Sequence, residues 1–510
     1  MKRLMVASAA VCAVAIGLSG TVLAAGVVRV SQGDPYRTCS DAGQTGTINP
    51  SAEVEPWVTA NPAVPGNLVA AWQQDRWSNG GARGLVSGRS TDDGATWTQT
   101  DLPFSACAPG AVNDPFTGAP YDRASDPWVS AGPDGTVYAV GLLATETDGS
   151  MPGNNDTGVA AATSSDGGAS WQNAQLIKSD QGTSPFFEFT KFFNDKESVT
   201  ADPVKAGTAY VVWDRLVSPG NSVDAILRSS AFRGPTWFSK TTDGGKTWTG
   251  TRAIFDPGQK SQTIGNVVVV DPKTDTIYDF FEQFQSTTNP KVAPRGVSVG
   301  FVKSTDGGDT WSGVTTVSNQ VLANDTDPNT GAFLRTGNGL PSVAVDPNTG
   351  QLYVTWTDAR FTSGLTNQAV ISTSTDGGAS WSAPKLVSNT TPINREAFTV
   401  NVAVNSAGTV AVTYYDLRDL TDTNTTTLPT NLWAKTSSDH GVSFGSEIHL
   451  AGPFNDLVAP NAGGFMLGDY SGLTTSVTTF EPFFVQTNCN DNSCAEPMDP
   501  TDTFATSFTG

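Results

Sequence analysis

Closely spaced carboxylates and arginines recur at the ends of several β-rich stretches of this chain. These stretches end in "QQDR" (73–76), "WDR" (213–215), "TDAR" (357–360) and "YDLR" (415–418). A carboxyl group can transfer a proton or act as a nucleophile, and a guanidinium binds an acidic group in a two-pronged fork. Together these groups could catalyse a reaction or hold an acidic ligand. A single Asp/Arg pair could equally bridge two adjacent loops, so the prediction depends on whether the pairs converge.

An eight-residue motif shows how the chain could bring these groups together. The pattern Ser/Thr-x-Asp-x-Gly-x-x-Trp/Phe occurs six times, at 90–97, 164–171, 241–248, 304–311, 374–381 and 437–444. Such regular repetition indicates an array of one supersecondary unit. Between copies, stretches such as "LPSVAVDPNTGQLYVTWTDAR" (340–360) have the apolar strands and polar turn of a β-hairpin. One further strand leads into each motif, and another leaves it.

Four antiparallel strands in each repeat describe a blade of a β-propeller, so the predicted fold class is all-β with four-stranded antiparallel blades. The motif would be the turn between the third and fourth strands. Its Asp would accept backbone N–H groups, its second Gly would take a positive φ, and its Trp would pack between sheets. We expect seven blades, with six as the alternative. The seventh, which lacks the motif, would combine 470–476, 480–487 and 502–508 with 27–31 from the other end of the chain.

In a propeller, the first strands start and the second strands end on one face, near the central axis. First-strand starts would supply Glu53, Glu55, Asp126, Glu197, Glu396 and Tyr470 to that face. Second-strand ends would supply Asp75, Arg76, Asp214, Arg215, Glu282, Asp358, Arg360, Asp416 and Arg418. The motif turns would lie on the opposite face, which makes the motif itself a structural feature.

The six motifs resemble the Asp boxes of the sialidase superfamily, and the resemblance covers almost all of residues 25–510. It implies a secreted glycoside hydrolase, with exo-alpha-sialidase activity as the most specific form. Sialidases hold the substrate carboxylate with three arginines. They attack with a Tyr that a Glu activates, which is an exception to the two-carboxylate scheme, and an Asp protonates the leaving group.

The resemblance assigns these roles to particular residues. "GDYSGL" (468–473) is similar to the late Tyr-Ser segment, which makes Tyr470 the candidate nucleophile, and "REAF" (395–398) makes Glu396 its partner. Asp126 or Asp75 would be the acid. The candidate substrate-binding residues are Arg76, Arg360, Arg395, Arg418, Glu197 and Trp77.

One departure from the family pattern keeps other functions open. Glu55 in "VEPW" (54–57) stands where sialidases have an arginine. The chain could therefore hydrolyse another glycan, bind a glycan or protein without catalysis, or act as a polysaccharide lyase.

Composition limits the compartment and the partners. The net charge of −20 argues against nucleic acid or an anionic membrane as a partner. Residues 1–24 carry Lys2 and Arg3, then an apolar run and small residues, which predicts a signal peptide and one soluble, extracellular domain over 25–510. We expect a monomer that acts on glycans. Of three possible pairings of the remaining cysteines, we favour Cys39–Cys107 with Cys489–Cys494.

Other chemistries have less support in the sequence. The two histidines fall at or beside the sixth motif, which disfavours a Ser-His-Asp or zinc site. "NDTDPNTG" (324–331) could hold Ca²⁺ but reads more readily as a solvated turn, so we expect no cofactor. "FFEFTKFF" (186–193) could stack on sugars or pack between blades.

Overall fold

The computed structural model describes residues 25–145, 156–181, 192–217, 233–285, 296–389, 395–488 and 500–510. Within these ranges the regular secondary structure is almost entirely β-strand, with two short 3₁₀ helices at Arg360–Thr362 and Asp456–Val458. No helix in the described ranges has the length and apolar character needed to cross a membrane.

In chain order, the strands of the first half are β1 (Val28–Arg29), β2 (Ile48–Ala60), β3 (Leu68–Trp77), β4 (Ala82–Ser90), β5 (Thr98–Asp101), β6 (Arg123–Ala131), β7 (Val137–Ala144), β8 (Thr157–Ser164), β9 (Gln172–Asp180), β10 (Phe192–Ala201), β11 (Ala209–Val217), β12 (Thr236–Thr241) and β13 (Arg252–Phe255). The next strands are β14 (Ser261–Asp271), β15 (Thr276–Gln285), β16 (Gly296–Ser304), β17 (Thr315–Asn319), β18 (Leu334–Arg335), β19 (Ser342–Val345), β20 (Leu352–Asp358), β21 (Gln368–Ser374) and β22 (Lys385–Leu386). The last are β23 (Ala397–Val404), β24 (Val410–Asp416), β25 (Pro429–Ser437), β26 (Ile448–Asn455), β27 (Phe465–Met466), β28 (Gly472–Ser476), β29 (Thr479–Thr487), β30 (Thr501–Ala505) and β31 (Phe508–Thr509).

Most strands form sets of four in which each strand pairs antiparallel with the next. The sets are β2–β5, β6–β9, β10–β13, β14–β17, β19–β22 and β23–β26. A further set joins β28, β29 and β30 to β1, so the two ends of the described chain meet in one sheet. The predicted all-β class and four-stranded antiparallel sheets are confirmed, and the arrangement is consistent with a propeller-like fold.

The repeated motif folds in the same way in all six copies. In each, the Asp carboxylate accepts the backbone N–H four residues later, over 2.8–3.0 Å. The Gly that all six copies share has a φ between 77° and 91°, a region that glycine enters without steric cost. Motif tryptophans reach into the neighbouring set of strands: the ring centroid of Trp311 lies 5.3 Å from that of Phe238, and Trp381 lies 5.9 Å from Phe280. The predicted turn is therefore present, and it is structural.

A β-bulge interrupts five of the first strands at equivalent places. The pairing register shifts at Val54/Trp57, Ser125/Trp128, Asp195/Ser198, Ile264/Val267 and Phe398/Asn401. The bulged residues have positive φ: Glu55 54°, Asp126 51°, Lys196 49°, Gly265 68° and Thr399 48°. A non-glycine residue held there costs about 1–3 kcal/mol, and such strain concentrates at functional sites. Because bulges re-aim side chains, the side chains at this end of the first strands are candidates for a functional site.

The predicted Cys39–Cys107 disulfide is present and ties the loop after β1 to the loop after β5. The predicted Cys489–Cys494 pair, the predicted signal peptide (1–24) and most of "FFEFTKFF" lie outside the described residues.

Candidate active site

A buried ammonium group stands at the centre of the bulged strand starts. The Nζ atom of Lys196 lies 3.2 Å from Glu55 Oε1, 3.0 Å from Asp126 Oδ1 and 2.6 Å from Asp469 Oδ2. These carboxylates come from β2, from β6 and from the segment before β28. One lysine therefore joins three separate parts of the fold, and we call these four residues the lysine cluster.

The carboxyl groups of the lysine cluster differ in electrostatic environment. Burial and the nearby Asp126 raise the pKa of Glu55 to about 8, against the opposing effect of Lys196. Burial would also raise the pKa of Asp469, but Lys196 and Arg335 hold it well below its ordinary value. The Arg335 guanidinium binds Asp469 with two bonds, Nε at 3.0 Å and Nη2 at 2.7 Å.

A cavity of about 260 Å³ opens beside the lysine cluster. Its lining includes Asp126, Asp195, Lys196, Arg76, Arg335 and the exposed ring of Phe193. The backbone of Asp195 pairs with that of Asp214, but its carboxylate makes no hydrogen bond or ion pair with another described residue, and burial raises the pKa of this group. Asp126 differs, because its carboxylate contacts the ammonium of Lys196. Two carboxyl groups in unlike environments thus face one cavity.

Arg76 lines the cavity, and part of its guanidinium group has no hydrogen-bond partner among the described residues. Its side chain is buried and donates to Gln73 Oε1 over 2.5 Å, while its Nε has no hydrogen-bond partner among the described residues. None of the described carboxylates forms an ion pair with it. Burial and the neighbouring Arg335 lower the pKa of Arg76. A buried, unpaired guanidinium favours an anionic group in the cavity.

Tyr470 lies beneath the lysine cluster within a group of aromatic rings. Trp57 and Trp128 stack with centroids 3.4 Å apart, and the Tyr470 centroid is 5.2 Å from that of Trp128. The Tyr470 hydroxyl donates to the Pro127 carbonyl over 3.1 Å, and burial raises its pKa well above the ordinary value. Both conditions work against a nucleophilic role for this hydroxyl.

The predicted contact between Glu396 and Tyr470 is not formed. Glu396 accepts the backbone N–H of Asn367 over 2.6 Å and lies beside Asp325. Burial and Asp325 raise the pKa of Glu396 to about 9. Asp325 in turn holds Asn367 Nδ2 at 2.7 Å. Because its oxygens are directed toward this second carboxyl group, Glu396 is not positioned to activate Tyr470.

The predicted arginine cluster does not assemble either. Arg360 binds Asp358 two residues earlier, and Arg418 binds Asp416 together with Glu447. Arg395 binds Asp422 and the carbonyl of Leu420. Each of these arginines is used within its own part of the fold, which is the alternative of a structural Asp/Arg pair. Arg76 alone of the four lines the cavity, together with Arg123 and Arg335.

Three more predicted residues have structural partners. Asp75 points away from Arg76 and binds Arg83 Nη1 at 3.0 Å. Trp77 is buried with the guanidinium carbon of Arg123 4.6 Å from its ring centroid, so it cannot stack on a sugar there. Arg215 pairs with Asp180 rather than with the adjacent Asp214.

Glu197 lies next to Lys196 of the lysine cluster but does not line the cavity of about 260 Å³. Its side chain is buried, and neither carboxyl oxygen has a hydrogen-bond partner among the described residues. It borders a small space of about 30 Å³ together with Trp128 and Tyr470. Burial, with Asp126 nearby, raises its pKa well above the ordinary value.

The stretch 324–331, which the sequence favours as a turn over a Ca²⁺ site, contains a turn in the structure. Asp327 accepts the backbone N–H of Asn329 over 2.9 Å and also binds the Thr330 hydroxyl. Within the described ranges, no group of three or more His, Cys, Asp or Glu side chains is arranged to hold a metal ion.

Sequence reasoning missed Lys196, Asp195, Arg335 and Asp469. A signal for Lys196 was available, because "VEPW" (54–57), "SDPW" (125–128) and "DKES" (195–198) place Glu55, Asp126 and Lys196 at the same position in their strands. Arg335 had no such signal, since it lies in the long connection between β17 and β19, outside the repeat.

No protein-family model and no curated protein sequence matches this chain. Among solved structures, the chain is similar to a protein of unknown function from Dyadobacter fermentans, at 15% identity over 95% of this chain and 99% of that chain, with a TM-score of 0.46. It is similar to a Hadza microbial sialidase at 15% identity over 87% and 74%, with a TM-score of 0.47. It is also similar to an alpha-L-arabinanase from Penicillium chrysogenum at 15% identity over 78% and 94%, with a TM-score of 0.44. Likenesses of this strength carry no argument about activity.

Proposed function

We propose that this protein is a secreted glycoside hydrolase that cleaves a glycan bearing an acidic sugar in the cavity beside the lysine cluster. The observation that carries the proposal is the pair Asp126 and Asp195. Both line one cavity, but Asp126 is ion-paired with Lys196 whereas the carboxyl group of Asp195 has a raised pKa and no bonding partner among the described residues. Glycosidases use two carboxyl groups whose environments separate their roles.

The roles follow from these environments. Asp195, whose burial favours the protonated form, would give a proton to the leaving-group oxygen. Asp126, held as an ion pair, would act as the base or the nucleophile on the opposite side of the sugar. Arg76 and Arg335 would orient the acidic group of the substrate, and the exposed ring of Phe193 would stack on a sugar face.

Sialidase activity through Tyr470 is the most specific function that the sequence predicts, and it requires a different arrangement of catalytic groups. It needs a tyrosine hydroxyl that a carboxylate activates, whereas Tyr470 donates to the Pro127 carbonyl. The proposal therefore assigns the reaction to Asp126 and Asp195 and retains sialidase activity as a specific outcome of the test.

The test uses the folded protein with aryl glycosides of sialic acid, uronic acids and arabinofuranose, and with natural glycans. We expect sugar release that falls roughly 100-fold or more in Asp126→Asn and in Asp195→Asn. The control is Asp456→Asn, a buried carboxyl group outside the cavity, which should retain activity. Tyr470→Phe and Glu396→Gln test the assignment of Tyr470 as the nucleophile. If both variants lose only the release of sialic acid, Tyr470 and Glu396 replace Asp126 and Asp195 as the catalytic residues.

A non-catalytic glycan- or protein-binding propeller is the second candidate. It is favoured by the lysine cluster, in which the carboxylates already have an internal cation and could be wholly structural. No release from any substrate by the folded protein, with glycan binding retained, would establish it. An unsaturated product that absorbs in the ultraviolet would instead indicate a lyase.

The proposal also includes the location and the number of blades. The disulfide between Cys39 and Cys107 suits an oxidising, extracellular compartment. The set formed by β28, β29, β30 and β1 supports a seventh blade that is closed by both ends of the chain. Mass spectrometry of the exported protein would test cleavage after residue 24. Light scattering would measure its molar mass in solution and so test whether it is a monomer.

A further inference from the structure

A second cavity lies on the same side of the molecule as the first. It measures about 500 Å³, opens to solvent and is lined mostly by the loop between β1 and β2. Its polar lining includes Thr38, Ser40, Asp41, Gln44, Arg83 and Asp122. Hydroxyl, amide and carboxylate groups of this kind form hydrogen bonds with the hydroxyl groups of sugars.

The two cavities share a wall. Asp122 lines the second cavity, while the next residue, Arg123, lines the first. The Arg123 guanidinium lies over the ring of Trp77, which borders the second cavity. Gln44 Oε1 accepts from Arg123 Nε over 2.7 Å. The cavities are therefore neighbours, separated by one layer of side chains.

The loop that forms the second cavity is firmly held. The disulfide from Cys39 to Cys107 anchors it, and Arg83 binds Asp41 with two bonds of 2.9 and 2.7 Å. The buried Tyr36 donates its hydroxyl to the Leu85 carbonyl over 2.8 Å. A cavity fixed in this way does not have to be ordered when a ligand binds, which favours affinity.

We infer that the second cavity binds a further sugar unit of the same glycan chain whose acidic sugar occupies the first cavity. This inference rests on the proposed function and deepens it, because it makes an oligosaccharide, and not a single terminal sugar with a small leaving group, the preferred substrate. Both cavities open to the surface on either side of Arg123, so an oligosaccharide that passes over this side chain can reach both.

The experiment compares acidic oligosaccharides of increasing length with an aryl glycoside of the same terminal sugar. Ala42→Trp places a large ring in the second cavity at a residue whose own side chain is small and exposed. Ala379→Trp makes the same change at an exposed position in a motif turn, on the opposite face. In the wild type, we expect kcat/KM to be at least about tenfold higher for the longer chains. Ala42→Trp should remove that ratio, and Ala379→Trp should keep it.

The outcomes separate this inference from the proposed function. Hydrolysis that does not depend on chain length, or a length dependence that survives in Ala42→Trp, overturns the inference and leaves the hydrolase intact. Calorimetry with the same oligosaccharides and Asp126→Asn gives a second readout. Absence of hydrolysis, with tighter binding of longer chains that Ala42→Trp abolishes, supports the second cavity and overturns the hydrolase.

Discussion

At the scale of single residues, Lys196 determines whether the carboxylates of the site can lie together. Three buried carboxyl groups within 3.2 Å of one atom would repel one another without a cation between them. Removing one partner of a buried ion pair costs about 3–5 kcal/mol, because the remaining charge is left without compensation. The strained φ of 49° at Lys196 adds to what the surrounding structure must offset.

We therefore predict that Lys196→Met destabilises the protein by about 3 kcal/mol or more at neutral pH. Lys196 lowers the pKa of Glu55 and of Asp469, so its loss raises both and makes ionisation in the folded state unfavourable. Glu55, whose pKa is about 8 even beside Lys196, is then protonated in the folded variant at neutral pH but ionised in the unfolded chain, which favours unfolding. Below a pH of about 4 the unfolded chain is protonated as well, so the difference from the wild type should shrink. Urea unfolding at several pH values measures this difference.

Lys205→Met is the matched control for that substitution. Lys205 pairs with Asp275 at the surface, where both side chains are more than a third exposed, so its loss should change the free energy of unfolding by less than about 1 kcal/mol. If Lys196→Met lowers the free energy of unfolding by the same amount at every pH, Lys196 acts through packing and not through its charge.

The site could be predicted from the sequence only in part, and the reason is physical. The sequence predicts Glu55 and Asp126 at first-strand starts because these starts are visible in the repeat, and both side chains contact Lys196 in the structure. Lys196 occupies the equivalent bulge, but a pattern of carboxylates does not itself predict the opposite charge that offsets their burial. Tyr470 is predicted at the same set of strand starts, whereas the bond from its hydroxyl to the Pro127 carbonyl depends on tertiary packing and has no sequence signal.

At the scale of elements, each motif turn is held by its aspartate. The Asp376 carboxylate accepts the Ser380 N–H over 2.9 Å and the Ser374 hydroxyl over 2.8 Å. The bond from the Ser380 hydroxyl, with the others, lowers the pKa of Asp376 to about 2, against 3.8 for an ordinary Asp. A lowered pKa in the folded state stabilises the fold above the unfolded value, and that contribution is lost as the pH falls through the folded value.

We predict that Asp376→Ala lowers the denaturant midpoint at neutral pH and leaves the proposed glycan hydrolysis unchanged, because the turn follows the third strand of its set and lies away from the strand starts beside the cavity. The gap between wild type and variant should close as the pH falls from 3.8 to about 2. Asp376→Asn keeps an oxygen that can accept the Ser380 N–H. The fall in denaturant midpoint should therefore be smaller for this variant and nearly independent of pH. A gap for Asp376→Ala that persists in acid would mean that the charge of the carboxylate is not what stabilises the turn.

Elements inside the repeat were predictable, and elements outside it were not. Hairpin turns and the motif fixed the four-strand sets, since these depend on residues close in sequence. Arg335 and Asp469 come together through a parallel pairing of β18 with β27, which are more than a hundred residues apart. Such a contact depends on tertiary packing, for which the local sequence carries no pattern.

At the scale of the whole molecule, the two ends of the described chain depend on each other. Val28 and Arg29 pair with Ala505 and Phe504, and the Val30 N–H donates to the Thr503 carbonyl over 2.8 Å. Without β1, the outer edge of β30 would expose unpaired backbone groups, which are prone to association. The disulfide at Cys39 holds the following loop and so also limits how far β1 can separate.

We predict that Val30→Ala weakens this junction. Val30 is 1% exposed and packs in one cluster with Trp72, Trp97 and Phe483, so its truncation should cost about 2 kcal/mol. Val27→Ala, at a side chain that is 40% exposed, is the control and should cost less than about 0.5 kcal/mol. Because the damage falls on β1, hydrogen exchange should rise first in the backbone of residues 503–505, which pair with Val28–Val30. Unchanged exchange there, with Val30→Ala destabilised, would mean that Val30 supports the sheet of Trp72 and does not hold the two chain ends together.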